Sequence, residues 1–85
     1  MKVIKEDKGE IELEFDDVTL PEILRVYLNQ DSGVSFAAWK REHPTTPAVL
    51  LVKTKGKTAK KAINDAVNSI IKDLDKVEAD FKKLR

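Results

Sequence analysis

The stretch TAKKAINDAVNSIIKDLDKVEADFKKL, residues 58–84, holds neither glycine nor proline and has the pattern of one long helix. Thr58 carries the hydroxyl side chain that favours an N-cap position. The large apolar residues recur at alternating steps of four and three, and they are Ile63, Val67, Ile70, Leu74, Val77, Phe81 and Leu84. In the first half this stripe is widened by Ala59, Ala62, Ala66 and Ile71. The spacing predicts a helix that is apolar along one side to its end.

This helix is longer than the rest of the chain can cover. About 27 helical residues with a rise of 1.5 Å span about 40 Å, whereas a globular domain of this size is about 30 Å across. Each large side chain left in water forgoes about 1.5–3 kcal/mol of burial, and Val77, Phe81 and Leu84 lie near the helix end. The simplest remedy is a partner helix or protein surface. A frayed or bent tail that folds back on the sheet is the alternative.

The first half of the chain has the alternation of β-strands. Between residues 10 and 16, Ile11, Leu13 and Phe15 alternate with acidic residues, which is typical of a half-buried strand whose acids face solvent. Val3 and Ile4 lie in a preceding strand, and a turn at residues 8–9 joins the two. The sequence therefore predicts a β-hairpin ahead of the first helix.

The first helix is predicted to start with Thr19 as its N-cap residue and to include Leu28. Thr19 and Glu22 have the spacing of a capping box, in which the threonine accepts from the N–H of Glu22 and the glutamate reaches back to Thr19. Val18 and Ile23 occupy the two positions of a hydrophobic staple. A turn at residues 32–33 follows the helix.

Two further strands are predicted at residues 34–42 and 48–55. The second contains a continuous apolar run from residue 48 to 52, which indicates a central strand that is well covered. The segment between them includes Pro44 and Pro47, which cannot donate to a strand ladder, so it is a loop. The predicted order of elements is hairpin, helix, two strands and long helix.

The composition excludes several function classes. The 85 residues are enough for one domain, predicted as residues 1–85, and 41% of them are hydrophobic. The sequence has no cysteine, so disulfides, thiolate nucleophiles and sulfur-ligated zinc are excluded. It has no signal peptide and no run of about 18 apolar residues. We therefore expect a soluble, cytoplasmic protein that does not contact a membrane.

Charge is balanced over the whole chain but not along it. The formal net charge of +1 is far from that of a dedicated nucleic-acid binder. Residues 1–33 contain four basic and nine acidic residues, whereas residues 34–85 contain twelve basic and six acidic ones. Such a dipolar chain suits oriented docking between proteins, although solvated faces would explain it as well.

The sequence contains no visible constellation of catalytic residues or metal ligands, and we expect no cofactor and no enzymatic activity of the chain by itself. His43 is the only histidine, and we expect it to be a structural loop residue. The one candidate nucleic-acid feature is a group of lysines that could neutralise phosphates: Lys53, Lys55, Lys57, Lys60 and Lys61. No aromatic residue lies among them for base stacking. The alternative is a solvated turn whose charges meet an acidic partner.

Four fragments, in order along nearly the whole chain, resemble the family of archaeal RNA polymerase subunit L. They are TLPEILR at residues 19–25, VSFAAW at 34–39, HP at 43–44 and VKTKG at 52–56. The sequence differs from this family in having tryptophan for the usual tyrosine at 39, valine for histidine at 18, and glutamate for asparagine at 22. It also lacks the proline common near the start of the last helix. The family includes the eleventh subunit of eukaryotic polymerase II and is similar to the N-terminal domain of the bacterial alpha subunit.

The resemblance implies a single-domain α+β fold. In it, a four-stranded, mainly antiparallel sheet carries two helices on one side, in the order ββαββα. It also implies a non-catalytic polymerase subunit that pairs through its helices with a larger, homologous chain, the D-type subunit of the archaeal enzyme. This heterodimer would be the assembly platform for the two large catalytic subunits in transcription, and no direct nucleic-acid contact is expected.

The helix stripes and the resemblance together predict a set of partner-interface residues. The expected set is Leu20, Ile23, Leu24, Tyr27, Ile63, Ala66, Ile70, Leu74, Val77 and Phe81. Arg25 matches the arginine of the family motif and is expected to hold a large subunit through bidentate contacts. Two other functions stay open: a small nucleic-acid-binding domain that uses residues 53–61, and a self-associating helical module that uses the heptad seam.

Overall fold

A computed structural model describes residues 1–84 as one four-stranded sheet and two helices. The elements are β1 (Lys2–Asp7), β2 (Glu10–Phe15), α1 (Thr19–Asn29), β3 (Val34–Lys40), β4 (Ala48–Thr54) and α2 (Ala59–Lys83). The strand order is β1-β2-β4-β3, and every neighbouring pair is antiparallel. The predicted ββαββα order, the α+β class and the central place of β4 are confirmed.

Strand register assigns each residue to one of the two faces of the sheet. Val52 of β4 lies between Ile11 of β2 and Ala37 of β3, and all three are buried under the helices. One residue away, Leu51 lies between Glu12 and Ala38 on the opposite side. No helix among residues 1–84 packs on that opposite side, which we call the open face. β4 is therefore central but is covered on one face only.

The core lies between the sheet and both helices. α1 packs mainly on β3 and against α2, and the first half of α2 also packs on β4 and β2. The buried hydrophobic residues are Ile11, Leu13, Phe15, Leu24, Leu28, Ala37, Ala48, Leu50, Val52, Ala59, Ala62 and Ala66. The buried residues of α2 are all alanines. Because alanine is small, the axis of α2 lies close to the sheet.

Ala62→Leu should destabilise the chain by about 1–3 kcal/mol, because the added carbons would enter a packed core. Ala62 is fully buried, and Ala79 on the same helix is exposed. Urea unfolding of Ala62→Leu and of the matched Ala79→Leu chain measures the difference, since both changes have the same helix propensity effect. Equal stability of the two variants would contradict close packing of α2 on the sheet.

The two helices begin differently from one another. The Thr58 Oγ1 accepts from the N–H of Lys61 at 3.1 Å, which confirms the predicted N-cap of α2. The predicted capping box of α1 is wrong. Val18 is the N-cap residue, its carbonyl accepts from the N–H of Glu22 at 3.1 Å, and no side chain caps the helix. Thr19 is already helical, so its side chain does not cap the helix, and the Glu22 carboxylate accepts from Arg25 and Trp39 instead.

The last two strands end one or two residues earlier than predicted. β3 ends at Lys40, and a turn follows in which the backbone N–H of Thr46 donates to the carbonyl of His43 at 3.0 Å. β4 ends at Thr54, just before Gly56, whose φ of 87° is in the left-handed region that glycine adopts without strain. Local turn geometry therefore sets both ends.

The long helix extends past the rest of the molecule. The 25 residues of α2 span about 37 Å at 1.5 Å per residue. The molecule measures 45 × 35 × 17 Å, and its radius of gyration of 14.4 Å exceeds the roughly 12 Å of a compact chain of this length. Every residue from 71 to 84 is exposed. The alternative of a tail folded back on the sheet is therefore wrong.

Candidate partner interface

The C-terminal half of α2 presents a row of exposed apolar side chains. Leu74 is 62% exposed, Val77 56% and Phe81 67%. Ile63 and Ile70, earlier in the same stripe, are half-buried and pack on the edge of the core. The stripe thus passes from the chain's own core into solvent without a break in its spacing.

α1 carries a second exposed apolar stripe beside its buried face. Pro21, Leu24 and Leu28 point into the core. Leu20, Ile23 and Val26 are exposed on the outside of the helix. These three residues follow one another at steps of three, so they share one side of α1.

Two sets of polar contacts fix α1 against α2. The Tyr27 hydroxyl donates to Asp73 Oδ2 at 2.7 Å, and this bond to a carboxylate raises the pKa of Tyr27. Just past the end of α1, Asp31 forms an ion pair with Lys57, whose Nζ also lies 2.9 Å from Asp65 Oδ2 on α2. The later residue in the first segment, Asp31, therefore connects to an earlier part of α2 than Tyr27 does, so the two helices run antiparallel. The start of α1 and the end of α2 lie towards the same end of the molecule.

The apolar and aromatic side chains that both helices leave exposed or half-buried define one candidate surface, called here the helix surface. Of the ten predicted interface residues, eight lie on it: Leu20, Ile23, Tyr27, Ile63, Ile70, Leu74, Val77 and Phe81. The other two do not, because Leu24 is 2% exposed and Ala66 5% exposed, both inside the chain's own core. Both are buried in the free chain, so the helix surface is defined without them.

Three further residues of the helix surface were missed by the sequence prediction. Val26, Val67 and Ile71 are all exposed apolar side chains on the same two helices. Val26 follows Ile23 by three residues, and Val67 already belonged to the heptad seam. The spacing was therefore a sufficient signal for these two, and Ile71 was visible as a residue that widens the stripe.

The Arg25 side chain is held by Glu22, one turn earlier on α1. Its Nε donates to Glu22 Oε2 at 3.2 Å, and its terminal nitrogen forms an ion pair with Glu22 Oε1. Trp39 Nε1 donates to the same Glu22 Oε2 at 2.6 Å. Two positions where the sequence departs from the subunit L pattern, 22 and 39, therefore contact each other. Because arginine has five N–H donors, Arg25 keeps free donors for a partner.

The Arg25 guanidinium, followed by the Trp39 N–H, lowers the pKa of Glu22 to about 2 from its ordinary 4.5. A carboxylate with a depressed pKa in the folded state stabilises that state above its ordinary pKa and loses the effect as the pH falls. Glu22→Gln should therefore destabilise the chain at neutral pH, and the difference should shrink as the pH falls from about 4.5 towards 2.

Urea unfolding of both chains at neutral pH and near pH 2, followed by circular dichroism, measures this difference. Trp39→Phe is the matched control, since it keeps an aromatic ring and removes one of the two donors. Its stability should vary with pH less than that of the native chain and more than that of Glu22→Gln. An equal loss from Glu22→Gln at both pH values would contradict the assigned contacts.

Most lysines of the candidate nucleic-acid feature have carboxylate partners within the chain. Lys57 bridges Asp31 and Asp65, Lys61 lies 3.5 Å from Asp65, and Lys53 lies 4.0 Å from Glu10. The ion pair and hydrogen bond with Lys57 lower the pKa of Asp31 and of Asp65 and raise the pKa of Lys57. The cluster joins the loop after α1 to the start of α2, which is a structural role.

The described residues include no candidate metal site. Residues 1–84 contain no group of three or more histidine, cysteine or acidic side chains that could hold a metal ion. A groove of about 490 Å³ between the helices contains Asp31, Asp65 and Asp73, but all three already bond to Lys57 or Tyr27. His43 is exposed, and its backbone forms the turn with Thr46. Within the same residues, neither helix is long and apolar enough to cross a bilayer.

Comparison with known proteins connects the helix surface to a family. Residues 8–80 match the family described as the RNA polymerase Rpb3/Rpb11 dimerisation domain. The chain belongs to this family. The match runs from the β1–β2 turn to the last turns of α2, so it includes both helices that form the helix surface.

The Rpb3/Rpb11 family assignment agrees with individual relatives. The chain is 31% identical over 81 residues to a probable DNA-directed RNA polymerase II subunit RPB11 of Plasmodium falciparum, covering 91% of this chain and 64% of that protein. It is 32% identical over 74 residues to the DNA-directed RNA polymerase subunit Rpo11 of Saccharolobus islandicus, covering 82% and 80%. The chain thus spans less than two thirds of the length of the Plasmodium protein. It spans four fifths of the length of the Saccharolobus protein.

A solved structure has the same fold. The crystal structure of DNA-directed RNA polymerase subunit L from Thermoplasma acidophilum superimposes with a TM-score of 0.85 at 27% identity, covering 96% of this chain and 84% of that one. The resemblance to subunit L is confirmed. The chain is of the Rpb11/L type within the Rpb3/Rpb11 family, whose members are RNA polymerase subunits of the transcription machinery.

Proposed function

We propose that this chain is the non-catalytic subunit of DNA-directed RNA polymerase that forms a heterodimer with the larger D-type subunit. The pair then serves as the platform on which the catalytic subunits assemble. The observation that carries the proposal is the helix surface: from residue 71 onward α2 is exposed at every position, yet it keeps its apolar spacing. Membership of a dimerisation-domain family supports the presence of a partner, and this surface is the one we assign to it.

The energetics of the helix surface favour an obligate pair. The exposed apolar residues lie on both helices, and the set is Leu20, Ile23, Val26, Val67, Ile71, Leu74, Val77 and Phe81. Burying each large side chain contributes about 1.5–3 kcal/mol, whereas a small domain has a total stability of only about 5–15 kcal/mol. Pairing would therefore add a large part of the stability of both partners.

The partner must supply apolar residues along an extended stripe. α2 projects beyond its own sheet, so its last turns need cover that the partner alone provides. We infer that residues 1–85 act as one dimerisation unit and that the D-type subunit supplies helices of matching spacing. Arg25, held by Glu22, would then offer its remaining donors to a carboxylate or carbonyl of a large subunit. As a polymerase subunit, the chain would act where the DNA lies. In an archaeal cell that place is the cytoplasm.

The first test is the mass of the purified chain by light scattering, alone and mixed with the D-type subunit from the same source. We expect a stable one-to-one complex. If the mixture does not associate and the chain alone forms a dimer whose stability depends on concentration, self-association through the heptad seam replaces the heterodimer.

A nucleic-acid function is the weaker candidate, because three of the five lysines are ion-paired within the chain. Binding of this chain to duplex DNA at low salt, with a steep loss on adding salt, would favour that function.

A further inference from the structure

The open face of the sheet is apolar on one half and ionic on the other. On β1 and β2 the open face carries Lys2, Lys5, Asp7, Glu10, Glu12 and Glu14. On β3 and β4 it carries Phe36, Ala38, Val49 and Leu51, with Lys40 and Lys53 at opposite ends. Phe36 is 46% exposed, and the other three apolar residues are half-buried without any covering element in residues 1–84. We call these four residues the open-face patch.

A solvated sheet face should alternate with the buried one in polarity. β2 does so, since its acids are outside and its apolar residues inside. β4 does not, because its run from residue 48 to 52 is apolar on both faces. Strands with this pattern are typically covered on both sides. The apolar run of β4 therefore indicates cover on both faces, whereas residues 1–84 cover only one of them.

The shape of the open-face patch fits one helix. It is two strands wide, and strands lie about 4.8 Å apart, so with its side chains it is about 10 Å across. An α-helix with its side chains is about 10–12 Å in diameter. A second sheet would extend further and would place its next strand over the β2 carboxylates. A shallow depression of about 210 Å³ lies along the patch, between Glu12 and Lys40.

The charges beside the patch indicate which charge the docked helix carries next to its apolar stripe. Glu10 forms ion pairs with Lys5 at 3.0 Å and Lys53 at 4.0 Å. Within residues 1–84, Glu12 and Glu14 form no ion pair, and both lie directly beside the patch, opposite Leu51 and Val49. Lys5 and Lys2 lie across from these two carboxylates on β1, one strand further from the patch, so the side chains on β2 next to the patch are acidic. A helix with lysine or arginine along one side of its apolar stripe would form ion pairs with Glu12 and Glu14.

We propose that the open-face patch docks an amphipathic helix of another protein chain, with the basic flank of that helix against Glu12 and Glu14. This inference rests on the proposed function, because it assigns a second contact of the same subunit inside the assembled polymerase. The surface is separate from the helix surface, since it lies on the other side of the sheet. One molecule of this chain could therefore bind the D-type subunit and the further helix at the same time.

Hydroxyl-radical footprinting with mass spectrometry tests both surfaces in one experiment, on the free chain and on the polymerase purified from the same source. We expect oxidation of Phe36 and Leu51 to fall at least fivefold on assembly. Leu74 and Phe81 report pairing through the helix surface in the same sample. If Leu74 and Phe81 are protected and Phe36 and Leu51 are not, the open-face proposal is overturned and the heterodimer stands. If none is protected, both proposals fail.

A charge reversal tests the basic flank. Glu14→Lys should lower incorporation of the heterodimer into polymerase at least tenfold in reconstitution, while the affinity for the D-type subunit stays unchanged. Glu6→Lys, the same reversal at an exposed β1 residue on the other side of the sheet from the open face, is the matched control. Unchanged incorporation of Glu14→Lys would exclude a basic flank at this position and overturn the assignment of the occupant.

Discussion

Leu74→Asp should weaken the binding of the D-type subunit by roughly 100-fold or more. Leu74 lies in the middle of the exposed part of α2 and is 62% exposed in the free chain. In the heterodimer it would be desolvated at the centre of the helix surface, where a carboxylate without a partner is costly. Isothermal titration, or surface plasmon resonance with the D-type subunit immobilised, measures the loss.

The isolated Leu74→Asp chain should fold as well as the native chain. Leu74 contributes nothing to the core of the free molecule, so its unfolding free energy should change by no more than about 0.5 kcal/mol. Lys76→Asp is the matched control, since it adds the same side chain half a helix turn away from the apolar stripe. Near-native affinity of Leu74→Asp, or an equal loss for Lys76→Asp, would argue against the helix surface as the interface.

The sequence predicted the elements well because their periods are strong. Seven seam residues at steps of four and three specify α2, and strict alternation specifies β2. The capping box of α1 failed because such a motif is read correctly only when the first helical residue is known. That residue is Thr19, so the cap falls on Val18. A one-residue shift leaves the periodicity unchanged, and the sequence pattern alone does not detect it.

The candidate interface could be predicted only in part, for a related reason. A helical stripe shows which residues share a side, but not which of them the chain's own sheet covers. Leu24 and Ala66 belong to apolar stripes and lie in the core, whereas Leu74 continues the α2 stripe in solvent. The division depends on where the sheet ends under α2, which is a property of the three-dimensional packing. The open-face patch depends in the same way on knowing which face of β4 the helices cover.

Leu50→Ala should have the largest effect on the free chain, with a loss of about 2–5 kcal/mol of unfolding free energy. Leu50 is fully buried on the central strand, between Leu13 of β2 and Trp39 of β3, and beneath the helices. Truncation would remove buried carbons and leave a cavity where three strands meet. For a domain of this size the melting temperature should fall by more than about 10 °C, as measured by circular dichroism.

Leu51→Ala, the neighbouring change, separates folding from docking. Leu51 lies on the open face and is half-buried, so the same truncation should cost the free chain no more than about 1 kcal/mol. Equal losses from Leu50→Ala and Leu51→Ala would contradict the assigned strand faces.

Within the assembled polymerase, Leu51→Ala should become the more damaging of the two changes. The D-type subunit stabilises a weakened core by mass action, but it cannot replace a missing contact on the other side of the sheet. Leu50→Ala should then be partly rescued by an excess of the D-type subunit, whereas Leu51→Ala should keep its pairing and lose affinity only for the helix on the open face.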